Sequence, residues 1–188
     1  MAPARDWRSF RDENAARLER QTGRDVAAWN ARIAAAGLAD ADALRAWLRA
    51  EGVTGYSAQL LRWETFGYPA FITATAEALI EAQYADRPAL KPVYDAVVAA
   101  ALDLGEVEVQ ARKTYVSLVA PRRTFARIQP TTRTRIDLGL RLAGQAPLGR
   151  LGPGRIHESM PVQLALERPE DLDAEALGWL VRAYEQNR

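Results

Sequence analysis

FARIQPTTRTRIDLGLRL, residues 125–142, decides how this chain is read. Ile136, Leu138, Leu140 and Leu142 alternate without exception against Arg133, Arg135, Asp137, Gly139 and Arg141. A period of two is the mark of a strand with one face on a core. Upstream, Ala126 and Ile128 oppose Phe125, Arg127 and Gln129, and Pro130-Thr131-Thr132 supplies a turn. The same pattern extends outward. In 113–119, Thr114, Val116 and Leu118 share one face, and Lys113, Tyr115 and Ser117 share the other. Ala120-Pro121-Arg122-Arg123 turns the chain back. Beyond a Gly/Pro-rich loop, Val162–Leu166 is a last alternating strand.

Two amphipathic helices bracket this meander. Residues 88–104 carry Leu90, Val93, Tyr94, Val97, Val98, Ala101 and Leu104 as one broad apolar stripe, ended by Gly105. Asp173 opens the closing helix, with Ala176, Leu177, Leu180, Val181 and Tyr184 on one side. Helix, antiparallel meander, helix predicts an α+β fold: a two-layer domain whose sheet has both helices on one face, over residues 88–188.

The N-terminal part, residues 1–68, reads as a small helical bundle. Its helices are expected over about 5–20, 25–36, 40–51 and 57–65. Trp7, Phe10 and Leu18 are the sparse anchors of the first helix, and Trp29, Trp47 and Leu48 are core positions of those that follow. A connecting helix is expected within 69–87, over about 70–84. Such a bundle has the outline of a helix-turn-helix DNA reader. Residues 1–75, however, are nearly charge-balanced, whereas a recognition helix brings surplus cations to phosphate.

Composition bounds the function. The chain has 188 residues, no cysteine and one histidine. Disulfides, thiolate metal sites and cysteine nucleophiles are excluded together, and a reducing cytoplasm fits. MAPARDWRSF at the start has no apolar core like that of a secretory signal. The longest clearly apolar run, Ala96–Leu102, is far too short to span a bilayer, so no membrane role is expected. No cofactor or metal set is expected either. His157 reads as a solvated loop residue, and GRLGPG (149–154) lacks the Lys-Ser/Thr of a phosphate loop and reads as a flexible connection. Glu170, Asp171, Asp173 and Glu175 suit the start of a helix, where negative charge is favoured.

The net charge of +1 hides an asymmetry: residues 109–150 are net +8 and the segments on either side of them are acidic. Alternation puts Lys113, Tyr115, Phe125, Arg127, Gln129, Arg133, Arg135, Asp137 and Arg141 on the face that the helices leave uncovered. Three uses fit such a face. It packs on the bundle or on a second copy as a homodimer, with its arginines paired to acids. It binds nucleic acid, with Tyr115 and Phe125 stacking bases and arginines holding phosphates. Or it holds a small anionic ligand or substrate near Asp137, the one acid of the basic block, through arginine forks. The leading expectation is a binding module for nucleic acid or another anionic partner. The alternative is an enzyme or small-molecule binder with one concave site at Asp137.

KTYVSL, QPTTRTRIDLGLRL and DAEALGWLVRAYE resemble a C-terminal domain of unknown function found in uncharacterised bacterial proteins. TGRDVAAWNARIAAAGL and LRAWLRAEGVTGYSAQL resemble the short helical domain of unknown function that often precedes it. The order of elements is similar to the frataxin-like fold of the MmcQ/YjbR group, for which DNA binding has been proposed from shape. Two positions depart from the resemblance: Pro161-Val162-Gln163 stands where a His-Arg pair is expected, and Gly55-Tyr56 where a Gly-His is expected.

Overall fold

The computed structural model of the chain describes residues 7–188, with the side chains of Trp7 and Ser9 excepted. The expected helix start near residue 5 and the Trp7 anchor lie outside the described residues and side chains. The chain divides into two compact units, the first ending at Ala74 and the second beginning at Thr75.

The first unit is helical: α1 (Trp7–Thr22), α2 (Val26–Ala36), α3 (Ala41–Ala50), α4 (Gly55–Phe66) and the single turn α5 (Ala70–Thr73). The helix starts follow from capping chemistry. The Asp25 carboxylate accepts from Ala28 N, and that of Asp40 accepts from Asp42 N and Ala43 N. Gly37 ends α2 at φ 58°, a left-handed conformation that glycine adopts freely. Leu18, Trp29, Ile33, Leu44, Leu48, Leu60 and Leu61 form a core of their own, with Trp47 half-buried against it. Arg32 lies over the rings of Trp29 and Trp47, 4.7 and 5.3 Å from their centroids, and pairs with Glu51 at 2.7 Å.

The helix expected over 70–84 is interrupted. Thr75 accepts a hydrogen bond from Ala78 N and starts a new helix, α6 (Ala76–Tyr84). The second unit continues with α7 (Lys91–Leu102), β1 (Glu108–Ala111), β2 (Val116–Val119), β3 (Thr124–Pro130), β4 (Ile136–Leu140), β5 (Gly152–Pro153), β6 (Val162–Leu166) and α8 (Ala174–Asn187). The strands form one antiparallel sheet in the order β1-β2-β3-β4-β6-β5. Val116, Leu118, Ala126, Ile128, Ile136, Leu138, Leu140, Val162, Leu164 and Leu166 join Val93, Val97, Leu180 and Ala183 in one core. The alternation of 136–140 therefore gives the right register, and the α+β class stands.

Three details differ from expectation. Lys113 and Thr114 are exposed in the bend between β1 and β2, so the strand expected over 113–119 begins only at Val116. The short edge strand β1 lies upstream of the expected meander. Phe125 belongs to the core face: Leu118 pairs with Ala126 but Val119 pairs with Thr124, leaving Phe125 as the extra residue of a bulge. Its ring is fully buried and meets Tyr184 of α8 edge-on at 5.4 Å.

Candidate functional site

The face of the sheet turned away from α7 and α8 is set by the register. Ser117, Arg127, Gly139 and Gln163 form one cross-strand row, and Gln129, Asp137 and Ala165 form the next. The Gly/Pro-rich segment between β4 and β6 folds back across this face instead of looping away from it. Ile156 sits over Gly139 so closely that a Cβ there would lie 2.7 Å from the Ile156 Cδ1. Gly154 runs against the Met160 carbonyl with no room for any side chain. Gly154 N donates to Pro161 O at 2.8 Å, Met160 N donates to His157 O at 3.0 Å, and Arg155 N donates to the Gln163 amide oxygen at 2.8 Å. The segment expected as a flexible connection is thus a built strap, with Leu151 fully buried and β5 hydrogen-bonded to β6.

Strap and sheet together border an open cleft of about 440 Å³ lined by Gln129, Thr131, Arg135, Asp137 and Gln163 from the sheet side and by Arg150, Arg155 and Ile156 from the strap. Asp137 is its floor. The residue is only 3% exposed. Its Oδ2 accepts from the Thr131 hydroxyl at 2.7 Å, and its Oδ1 lies 3.1 Å from Arg135 Nε. That last contact is Coulombic, because Oδ1 and Nε remain without a hydrogen bond. Arg135 keeps about two-fifths of its side chain exposed. On the strap, Arg150 pairs with Asp173 and donates to Asp171 O at 2.8 Å. The exposed Arg155 guanidinium makes no ion pair or hydrogen bond among the described residues.

Of the residues expected on this face, Gln129, Arg135 and Asp137 come together in the cleft. The others do not. Arg127 and Tyr115 engage each other: the guanidinium carbon is 3.4 Å from the ring centroid, and burial lowers the Arg127 pKa from the usual arginine value. Arg133 is exposed in the β3–β4 turn, ahead of the strand on which it was expected. Arg141 lies past the end of β4, where its backbone N donates to Phe125 O and its Nε to Thr124 O, both at 2.8 Å, fastening the bulge. Burial, with Arg123 nearby, lowers its pKa too. Lys113 stands in the β1–β2 bend, and Phe125 is buried on the opposite face. Arg150, Arg155 and Gln163 were not legible as site residues. Their only signals are the glycines that let the strap close on the sheet.

Among the described residues no cluster of three or more His, Asp or Glu suits a metal ion, and no helix is long and apolar enough to cross a membrane. His157 is exposed on the strap, its Nδ1 2.8 Å from the Ser159 hydroxyl and accepting from Ser159 N at 3.1 Å.

A family model described as a domain of unknown function, DUF5655, matches residues 80–187. The chain belongs to this family. The matched region contains the whole cleft, so sheet, strap and floor all lie within the DUF5655 domain. No curated protein and no solved structure matches the chain.

Proposed function

We propose that this DUF5655 domain binds a small anionic ligand in the cleft between sheet and strap. One observation carries the reading: Arg135, Arg150 and Arg155 all line a single cleft, and among the described residues the guanidinium of Arg155 has no acid to neutralise it. Arginine forks suit phosphate and carboxylate oxygens, and a cleft desolvates the contact more than a flat surface does. Asp137 and Thr131 hold Arg135 in place; they do not cancel the strap's charge.

The nucleic-acid reading loses its stacking surface. Phe125 is in the core, Tyr115 is occupied by Arg127, and Ile156 lies across Gly139 where a strand of bases or a second copy would need open sheet. The resemblance of element order to the MmcQ/YjbR group rests on the sequence alone and adds nothing to either reading. The cytoplasm is the setting we favour, on the cysteine-free composition.

Titration calorimetry with inorganic pyrophosphate at low salt tests the reading. Arg155→Ala is expected to weaken binding about 10- to 100-fold, the range for losing a charge-assisted hydrogen bond. Because the side chain is exposed, stability should change by less than about 0.5 kcal/mol. Tight binding of single-stranded DNA with a steep salt dependence, indifferent to Arg155→Ala, would instead favour the nucleic-acid reading.

A further inference from the structure

The two walls of the cleft differ in chemistry. The strap wall is cationic, with one unneutralised guanidinium at Arg155 and a second, Arg150, shared with Asp173. The sheet wall is polar without net charge. Arg135 and Asp137 offset each other across 3.1 Å, and beside them stand the amides of Gln129 and Gln163 and the hydroxyl of Thr131. Amides and hydroxyls both donate and accept, as the hydroxyl groups of a polyol do. Gln129 Oε1 is buried and accepts no hydrogen bond. The Gln129 residue itself lines the cleft, beside Gln163 and Thr131. The apolar part of the lining is small, Ile156, Pro153 and Ala165, and among the described residues no aromatic ring lines the cleft. A flat heterocyclic base finds no stacking partner there.

Resting on the anionic-ligand reading, we infer that the ligand is a hydroxylated small molecule carrying one oxyanion group, a sugar phosphate or a sugar acid. Its anion meets Arg155 and Arg150, and its hydroxyls lie on Gln129, Gln163 and Thr131.

The test is calorimetry on the full chain with five probes: glucose 6-phosphate, gluconate, inorganic phosphate, glucose and AMP. Glucose 6-phosphate or gluconate should bind at least about tenfold more tightly than inorganic phosphate, and which of the two wins tells phosphate from carboxylate. AMP and glucose should be weaker than the winner. Gln129→Ala should reduce the advantage of the winner over inorganic phosphate about 3- to 10-fold, one neutral hydrogen bond, and leave phosphate itself unchanged. Arg155→Ala should weaken both. Equal affinities for phosphate, glucose 6-phosphate and gluconate, or tighter binding of AMP, overturn the ligand class while the anion reading survives. If no anion binds the intact protein, both fall. A folded Gln129→Ala protein, judged by its unfolding midpoint, that keeps the full advantage also overturns the class.

Discussion

Phe125 and Gly139 show how much a single side chain decides here. Phe125 falls on the polar side of a strict alternation, yet one extra residue in β3 turns its ring into the core against Tyr184. Phe125→Ala should therefore destabilise the protein by about 3–5 kcal/mol, as a fully buried ring does, and urea unfolding measures it. An exposed stacking residue would change stability by less than about 0.5 kcal/mol. Gly139 acts through what it lacks, since a Cβ would run into Ile156. In the first unit the decisive group is Glu64. Burial opposes its ionisation, but hydrogen bonds from Tyr68 at 2.6 Å and Arg11 at 2.9 Å prevail and hold its carboxyl below the usual value. The same burial and hydrogen bond push the Tyr68 hydroxyl up to about 12. A raised tyrosine pKa means the folded state keeps its proton longer. Stability from Tyr68 is thus complete below its unfolded pKa of about 10 and lost as pH rises through about 12. Tyr68→Phe should remove that part of the alkaline loss, read as the unfolding midpoint between pH 9 and 12.

At the scale of elements, the strap is what makes a cleft out of a sheet face. Its arginines reach the cleft because Gly154 lets the backbone meet Met160 and Gly139 seats Ile156. Gly139→Ala should lift the strap and weaken pyrophosphate binding at least about tenfold, with a stability loss of about 1–3 kcal/mol from overpacking. Binding unchanged in a folded Gly139→Ala protein would mean the strap is not seated as described. The strands were legible because Ile136, Leu138 and Leu140 on the core face alternate with Asp137 and Gly139 on the other. That same pattern put Arg135 and Asp137 on the correct face. Edges and loops were not legible, for physical reasons. β1 and the residue before it do alternate, with Val107, Val109 and Ala111 packed against the core and Glu108 and Gln110 between them, but four half-buried residues at a sheet edge are too short a run to stand out. A bulge inverts parity without leaving a mark in composition. A strap closed by hydrogen bonds from Gly154, Arg155 and Met160 has the same residue content as a flexible linker. Hence Gln129, Arg135 and Asp137 could be found from periodicity, and Arg150, Arg155 and Gln163 could not.

The whole molecule is two units with separate cores, one of helices and one of sheet and helices. The arginines of the basic block 109–150 have different partners. Arg123 is bonded to Asn187, Arg127 to the ring of Tyr115, Arg135 to Asp137 and Arg150 to Asp173. Arg122 and Arg133 stay exposed outside the cleft lining, so we place the anion at the cleft by its concavity and by Arg155, and not by the charge of the block. The most direct measurement is an amide NMR titration of the full-length protein with inorganic pyrophosphate at low salt. The expected result is saturable shifts confined to the amides around Gln129, Asp137, Arg155 and Gln163, needing about 10- to 100-fold more pyrophosphate in Arg155→Ala. Shifts spread over Arg112, Arg122 and Arg133, or none at all, would contradict a single anion site between strap and sheet.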